Sequence, residues 1–169
     1  MKKRFLLPLA VIVIMIIGCL CACSGKGGEK TKVSMYELKN AMANATDKFE
    51  EMTYASSEDP DKEEIFENIS AMDYSKVDSF FIFYATNGTG NADEIAVIQV
   101  KKTDDLAEAR KELEAHVSKR IALYSTYDKT QLKKLNSAKI ETQGNCVALI
   151  IGDDASKIAD AFHGFFDAE

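Results

Sequence analysis

Two histidines, two prolines and no tryptophan occur in 169 residues, and of four cysteines three fall within the first 23 positions. Each scarcity excludes a class of chemistry. The chain contains no GxSxG, HExxH, P-loop or Rossmann glycine pattern. His116 and His163 have no His or Cys four residues away, so neither starts a helical metal site. Glu112 stands one turn before His116, which reads as an ordinary helix-surface pair. Only one uncharged apolar run, from Phe5 to Leu20, approaches membrane-spanning length, so a multi-span membrane protein is excluded. Residues 1–22 hold three cations and no anion. The remaining 147 residues therefore carry 18 Lys and Arg against 27 Asp and Glu, a formal charge of −9. A nucleic-acid partner does not fit that balance.

What is present begins with an export signal. Lys2, Lys3 and Arg4 precede the apolar run, and small residues follow it. Leu20-Cys21-Ala22-Cys23 then resembles a bacterial lipobox, an aliphatic residue and a small residue set before a cysteine. The resemblance implies that the Cys23 thiol receives diacylglycerol, that residues 1–22 are removed as a signal peptide, and that Cys23 becomes the N-terminus. Ile16-Ile17-Gly18-Cys19 offers an alternative site at Cys19. Cys23 is preferred because Leu20 lies three residues before it and polar sequence starts directly after it. Acyl chains contribute about 0.8 kcal/mol per buried CH2, enough in pairs to hold a protein on a membrane it does not cross. The expected location is the outer face of the bacterial cell membrane. Cleavage before Cys23 leaves Cys146 as the sole free thiol, which excludes an internal disulfide or a CxxC pair. Cys146 opens an apolar strand pattern and reads as a small buried hydrophobe.

Residues 23–32 form a short Gly- and Lys-rich tether with a mean reach of roughly 15–18 Å. A single domain is expected over 33–169. Ser34-Met35-Tyr36-Glu37 is a capping box with Val33 and Leu38 as its hydrophobic staple. Met35, Leu38, Met42, Ala45, Phe49 and Met52 extend one apolar stripe, so a helix is predicted through Met52. The stripe faces the core, the alternative being an adaptable Met-rich binding face. Asp59-Pro60 caps a shorter helix that buries Ile65, Phe66 and Ile69. Val77–Ala85 and Glu94–Lys101 read as a hairpin turning at Asn87-Gly88. The turn segment Asn87–Glu94 lacks the ligand order of a calcium loop.

The longest helix runs from Asp104 to Tyr124 with Leu106, Leu113, Val117, Ile121 and Tyr124 inside. A short helix opens at Asp128. Ala138–Gln143, with Lys139, Glu141 and Gln143 facing water, then turns at Gly144-Asn145 into Cys146–Ile151, which is apolar on both faces. A last helix follows Asp154. Two β-hairpins separated by helices predict an α+β domain: a mostly antiparallel four-stranded sheet packed with about four helices.

This order behind a lipobox resembles a family of lipoproteins from Gram-positive anaerobes, domain of unknown function 4358. The resemblance rests on Asp93–Lys101, on Arg120 and Tyr127, on Leu135–Ala138 and on Gly144–Ile151. The family tends to show a hairpin strand, a helix ending in Arg, an aromatic-to-Tyr step and a Gly turn into an apolar strand. A proline often follows the Tyr, where this sequence has Asp128 and Lys129. The resemblance implies fold and location; it carries no activity and no catalytic residue.

Arg120, Tyr124 and Tyr127 form the one mixed constellation with the composition of an interaction hot spot. The plainer alternative is that Arg120 caps helix carbonyls while the tyrosines pack. Two functional expectations follow. The first is a non-enzymatic, membrane-anchored module that binds another envelope protein, without a cofactor or metal. The second is a small cell-wall hydrolase using paired carboxylates, since acids are plentiful.

Overall fold

Helix α1 (Met35–Ala43) starts where the capping box directs: the Ser34 hydroxyl accepts a hydrogen bond from the Glu37 amide at 3.3 Å, and Val33 and Leu38 are both buried. In this computed structural model the described residues are 33–48, 52–86 and 90–168. The apolar stripe does not carry the helix to Met52. Chain direction changes at Asn44, and Met52–Ser56 forms strand β1. Thr53 and Tyr54 suit a pleated strand better than a helix. Ala45 and Met52 nevertheless pack, partly buried, against the same cluster as α1, so their packing was legible although their secondary structure was not. Phe49 lies outside the described residues.

Helix α2 (Lys62–Glu67) begins two residues after Pro60, because Asp59 is occupied elsewhere: its carboxylate accepts the Ser56 amide at 2.7 Å. Phe66 and Ile69 are buried as predicted, and Ile65 is partly so. Strands β2 (Val77–Ala85) and β3 (Glu94–Val100) form the first hairpin, with Phe81 opposite Val97. Residues 87–89 of its turn lie outside the described residues. Helix α3 (Leu106–Tyr127) runs 22 residues, and α4 (Leu132–Asn136) follows a single 3-10 turn capped by the Asp128 carboxylate. Strands β4 (Lys139–Gln143) and β5 (Cys146–Ile151) form the second hairpin, and α5 (Ala155–Asp167) closes the domain. Gly144 in that two-residue turn has φ +58°, and a Cβ there would sit 2.9 Å from the Phe166 ring.

The α+β class holds, with two corrections. The sheet has five strands rather than four, all antiparallel in the order β1-β2-β3-β5-β4, and the described residues include five α-helices. The fifth strand is β1; its first residue, Met52, was assigned above to the end of the first helix, and residues 53–56 to no element. The two hairpins join through β3 and β5, where Ala96 lies opposite Leu149.

Alternation along the central strands divides the core into two. Ala96, Ile98, Val147 and Leu149 face α2, α3 and α4, while Ile95, Val97, Ala148 and Ile150 face α1 and α5. Both faces are therefore covered, which is why β3 and β5 read as continuous apolar runs rather than as alternating ones. Lys139, Glu141 and Gln143 on edge strand β4 are half-buried rather than open to water. Glu141 accounts for part of that, lying 3.1 Å from His163 Nε2 on α5.

The chain enters this domain at one end of the sheet. The Gln99 side-chain amide donates to the Val33 carbonyl at 3.3 Å, near the last residue of β3. Glu94, at the first residue of β3, lies at the opposite end.

Candidate interaction site

Two acids stand at the mouth of β3, Asp93 just before it and Glu94 at its first residue, and both are buried. Glu94 faces α3 by the alternation of its neighbours. Its Oε1 lies 2.8 Å from His116 Nε2, and its Oε2 accepts from the Arg120 guanidinium. The Glu94 side chain is 5% exposed, so a bare carboxylate there would be costly. His116 and Arg120 are one turn apart, and Tyr124 is a turn further. The Arg120 guanidinium carbon stands 5.6 Å from the Tyr124 ring centre, and the Tyr124 hydroxyl donates to the Asn91 carbonyl at 3.0 Å. Three successive turns of α3 are thus fastened to the start of β3.

A second clamp lies beside the first. Lys134 of α4 reaches Asp93 at 2.9 Å and Asp153 at 3.4 Å, and it also donates to the Asn91 side-chain oxygen at 3.2 Å. Burial alone would lower the Lys134 ammonium, but the Asp93 hydrogen bond and charge, with Asp153 behind them, outweigh it and hold the group above the ordinary lysine value. The Gln131 side-chain oxygen accepts from the Ala92 amide at 3.1 Å. Asp93, Lys134 and Asp153 line a cavity of about 230 Å³.

The structure brings the three sequence-selected residues together and divides their roles. Arg120 does not cap carbonyls at a helix end, since α3 continues seven residues beyond it and its partner is Glu94. Tyr124 is buried. Tyr127 touches it ring to ring at 6.2 Å and 81°, and is itself 70% exposed. Leu123, one turn before Tyr127, is 62% exposed. Sequence reasoning missed Leu123, Glu94 and Asp93. The signal for the two acids was their position at the mouth of a strand too apolar to be solvent-facing. His116 takes Glu94 as its partner, while Glu112 accepts the Ala71 amide at 3.1 Å.

Cys146 is fully buried, and burial, with the Asp78 charge behind it, pushes its thiol up to about 12. That is the profile of a packing residue rather than a nucleophile. Among the described residues no group of three or more His, Cys, Asp or Glu is placed to hold a metal ion, and no helix is long and apolar enough to cross a membrane. Cys19 and Cys23 lie outside the described residues.

The sequence profile of domain of unknown function 4358 matches residues 50–152. The chain belongs to that family. No curated protein and no solved structure matches it. The 4358 match runs from the start of β1 to the end of β5, so it takes in the whole sheet, α2, α3 and α4. The Glu94–His116–Arg120 and Asp93–Lys134 clamps fall within it, as do Leu123 and Tyr127. Helices α1 and α5, which cover the other face, fall outside the matched 4358 residues.

Proposed function

We propose that this protein is an exported lipoprotein, held on the outer face of the bacterial membrane through diacylglyceryl-Cys23, whose domain binds another envelope protein through the last two turns of α3. The observation that carries the binding reading is the exposed pair Leu123 and Tyr127 seated beside the clamped Arg120 and Tyr124. An aromatic and an aliphatic side chain exposed on a rigidly fixed helix lose little conformational freedom on docking. Tyr and Arg are also the residue types enriched where binding energy concentrates. The surface lies on α3, which covers the face of the sheet opposite α1, the helix that begins where the tether joins the domain, and this supports presentation away from the bilayer. The charge of −9 over residues 23–169 fits a protein partner or a cation-bearing one better than anionic lipid or acidic wall polymers.

Affinity capture from detergent-solubilised envelopes after mild cross-linking tests this reading. The full-length protein should enrich one partner that Cys23→Ala and a Leu123→Ser, Tyr127→Ser double variant both lose. Turnover of wall polymer by the purified protein, abolished by Asp153→Asn, would instead favour a hydrolase using the Asp93 and Asp153 carboxylates.

A further inference from the structure

The face of the sheet opposite α3 carries a second exposed aromatic group. Tyr36, in the first turn of α1, is 70% exposed, and Tyr54, on edge strand β1, is 46% exposed. Lys39 joins them, its Nζ lying 4.7 Å from the Tyr36 ring centre and 5.4 Å from that of Tyr54. Tyr54 is steadied from beneath by Phe83 at 4.9 Å. Two tyrosines sharing one ammonium are amphipathic units, each with an apolar ring and a polar tip. Such groups settle at the headgroup level of a bilayer, where ring and hydroxyl are both accommodated.

The position of this patch decides what meets it. Tyr36 is three residues from Val33, whose carbonyl is fixed to the sheet by Gln99. The chain from Cys23 to Val33 is short. Its mean reach of roughly 15–18 Å is well below the breadth of roughly 35–40 Å expected for a domain of about 137 residues. A lipid on Cys23 therefore keeps the side of the domain around Val33 within reach of the headgroups. We infer that the Tyr36–Lys39–Tyr54 patch rests on the bilayer surface and orients the anchored domain, turning α3 and the Leu123–Tyr127 surface away from the membrane. The inference rests on the lipid anchor proposed above.

The chain has no tryptophan, so a single substitution supplies a unique reporter. Full-length Tyr36→Trp and, as the comparison, Leu123→Trp would be produced in a lipidating bacterial host. Each would be reconstituted into phosphatidylcholine–phosphatidylglycerol vesicles with and without bromine on the acyl chains. Both positions are exposed, so neither substitution disturbs the core. Brominated lipid should quench Tyr36→Trp by roughly twofold or more while leaving Leu123→Trp nearly unchanged, as interfacial burial of one face only requires. Adding Lys39→Glu should reduce the quenching at position 36. Protein that floats with the vesicles but shows equal emission at position 36 in both lipids would overturn the inference and leave the anchor standing. Protein that fails to float would overturn the anchor, and the inference with it.

Discussion

Glu94 is the residue on which the α3 side of the domain turns. Its carboxylate is buried against both His116 and Arg120, and the Arg120 guanidinium compensates a charge that would otherwise be stranded. Breaking one member of a buried pair costs more than the pair itself is worth, because the other charge stays behind. Arg120→Met should lower the unfolding free energy by about 3 kcal/mol, measured by urea denaturation. Glu94→Gln combined with Arg120→Met should recover part of that loss. An additive double variant would show that the two side chains do not act as a unit. Cys146 permits a different test. If, as proposed, the chain is cleaved before Cys23 and that sulfur is alkylated, one thiol should titrate, and only after denaturation. Three titrating thiols would place cleavage before Cys19.

Among the elements, α1 and β1 show what the sequence could and could not convey. The Ser34 cap and the Val33–Leu38 staple act within one turn, so they were readable directly. The end of α1 was not, because Ala45 and Met52 pack against the same cluster whether the chain between them is helical or not. Spacing alone could not separate the two cases. The central strands were legible because a hairpin needs only local turn chemistry and apolar runs. The pairing of β3 with β5 joins residues about fifty apart in the chain, for which no local signal exists. The same limit hid Glu94. Arg120 and Tyr127 were visible as an unusual composition, but the carboxylate that holds Arg120 comes from another element.

Gly144→Ala forces a Cβ into a left-handed turn against Phe166. It should cost about 1–2 kcal/mol from the backbone alone, read as a lowered denaturation midpoint. Leu123→Ser with Tyr127→Ser changes the exposed side of α3 and removes the Tyr124–Tyr127 ring contact. Its unfolding free energy should fall by no more than about 1.5 kcal/mol, while partner capture is lost.

Across the whole molecule, a sheet covered on both faces separates two surfaces. The α3 face holds the charged clamps and lies within the 4358 match; the α1 and α5 cover lies outside it. Alkaline pH should weaken this assembly in a predictable way. Cys146 has an ordinary value of 9.0 and is raised to about 12 in the fold. Between those values the unfolded chain has lost a proton that the native protein keeps, so the contribution is whole below pH 9.0 and is lost as pH rises toward about 12. Lys134, also raised, acts in the same direction. The decline in stability over that range should be shallower in Cys146→Ala than in the parent, by denaturant titration at stepped pH.

On the function proposed, the end of α3 meets a partner while the protein is anchored. The most direct test places a photo-cross-linking amino acid at Leu123 in living cells, with the same group at Ala107 near the other end of α3. One discrete adduct is expected from position 123, none from 107, and loss of the adduct in Cys23→Ala. Indistinguishable patterns from the two positions would contradict it.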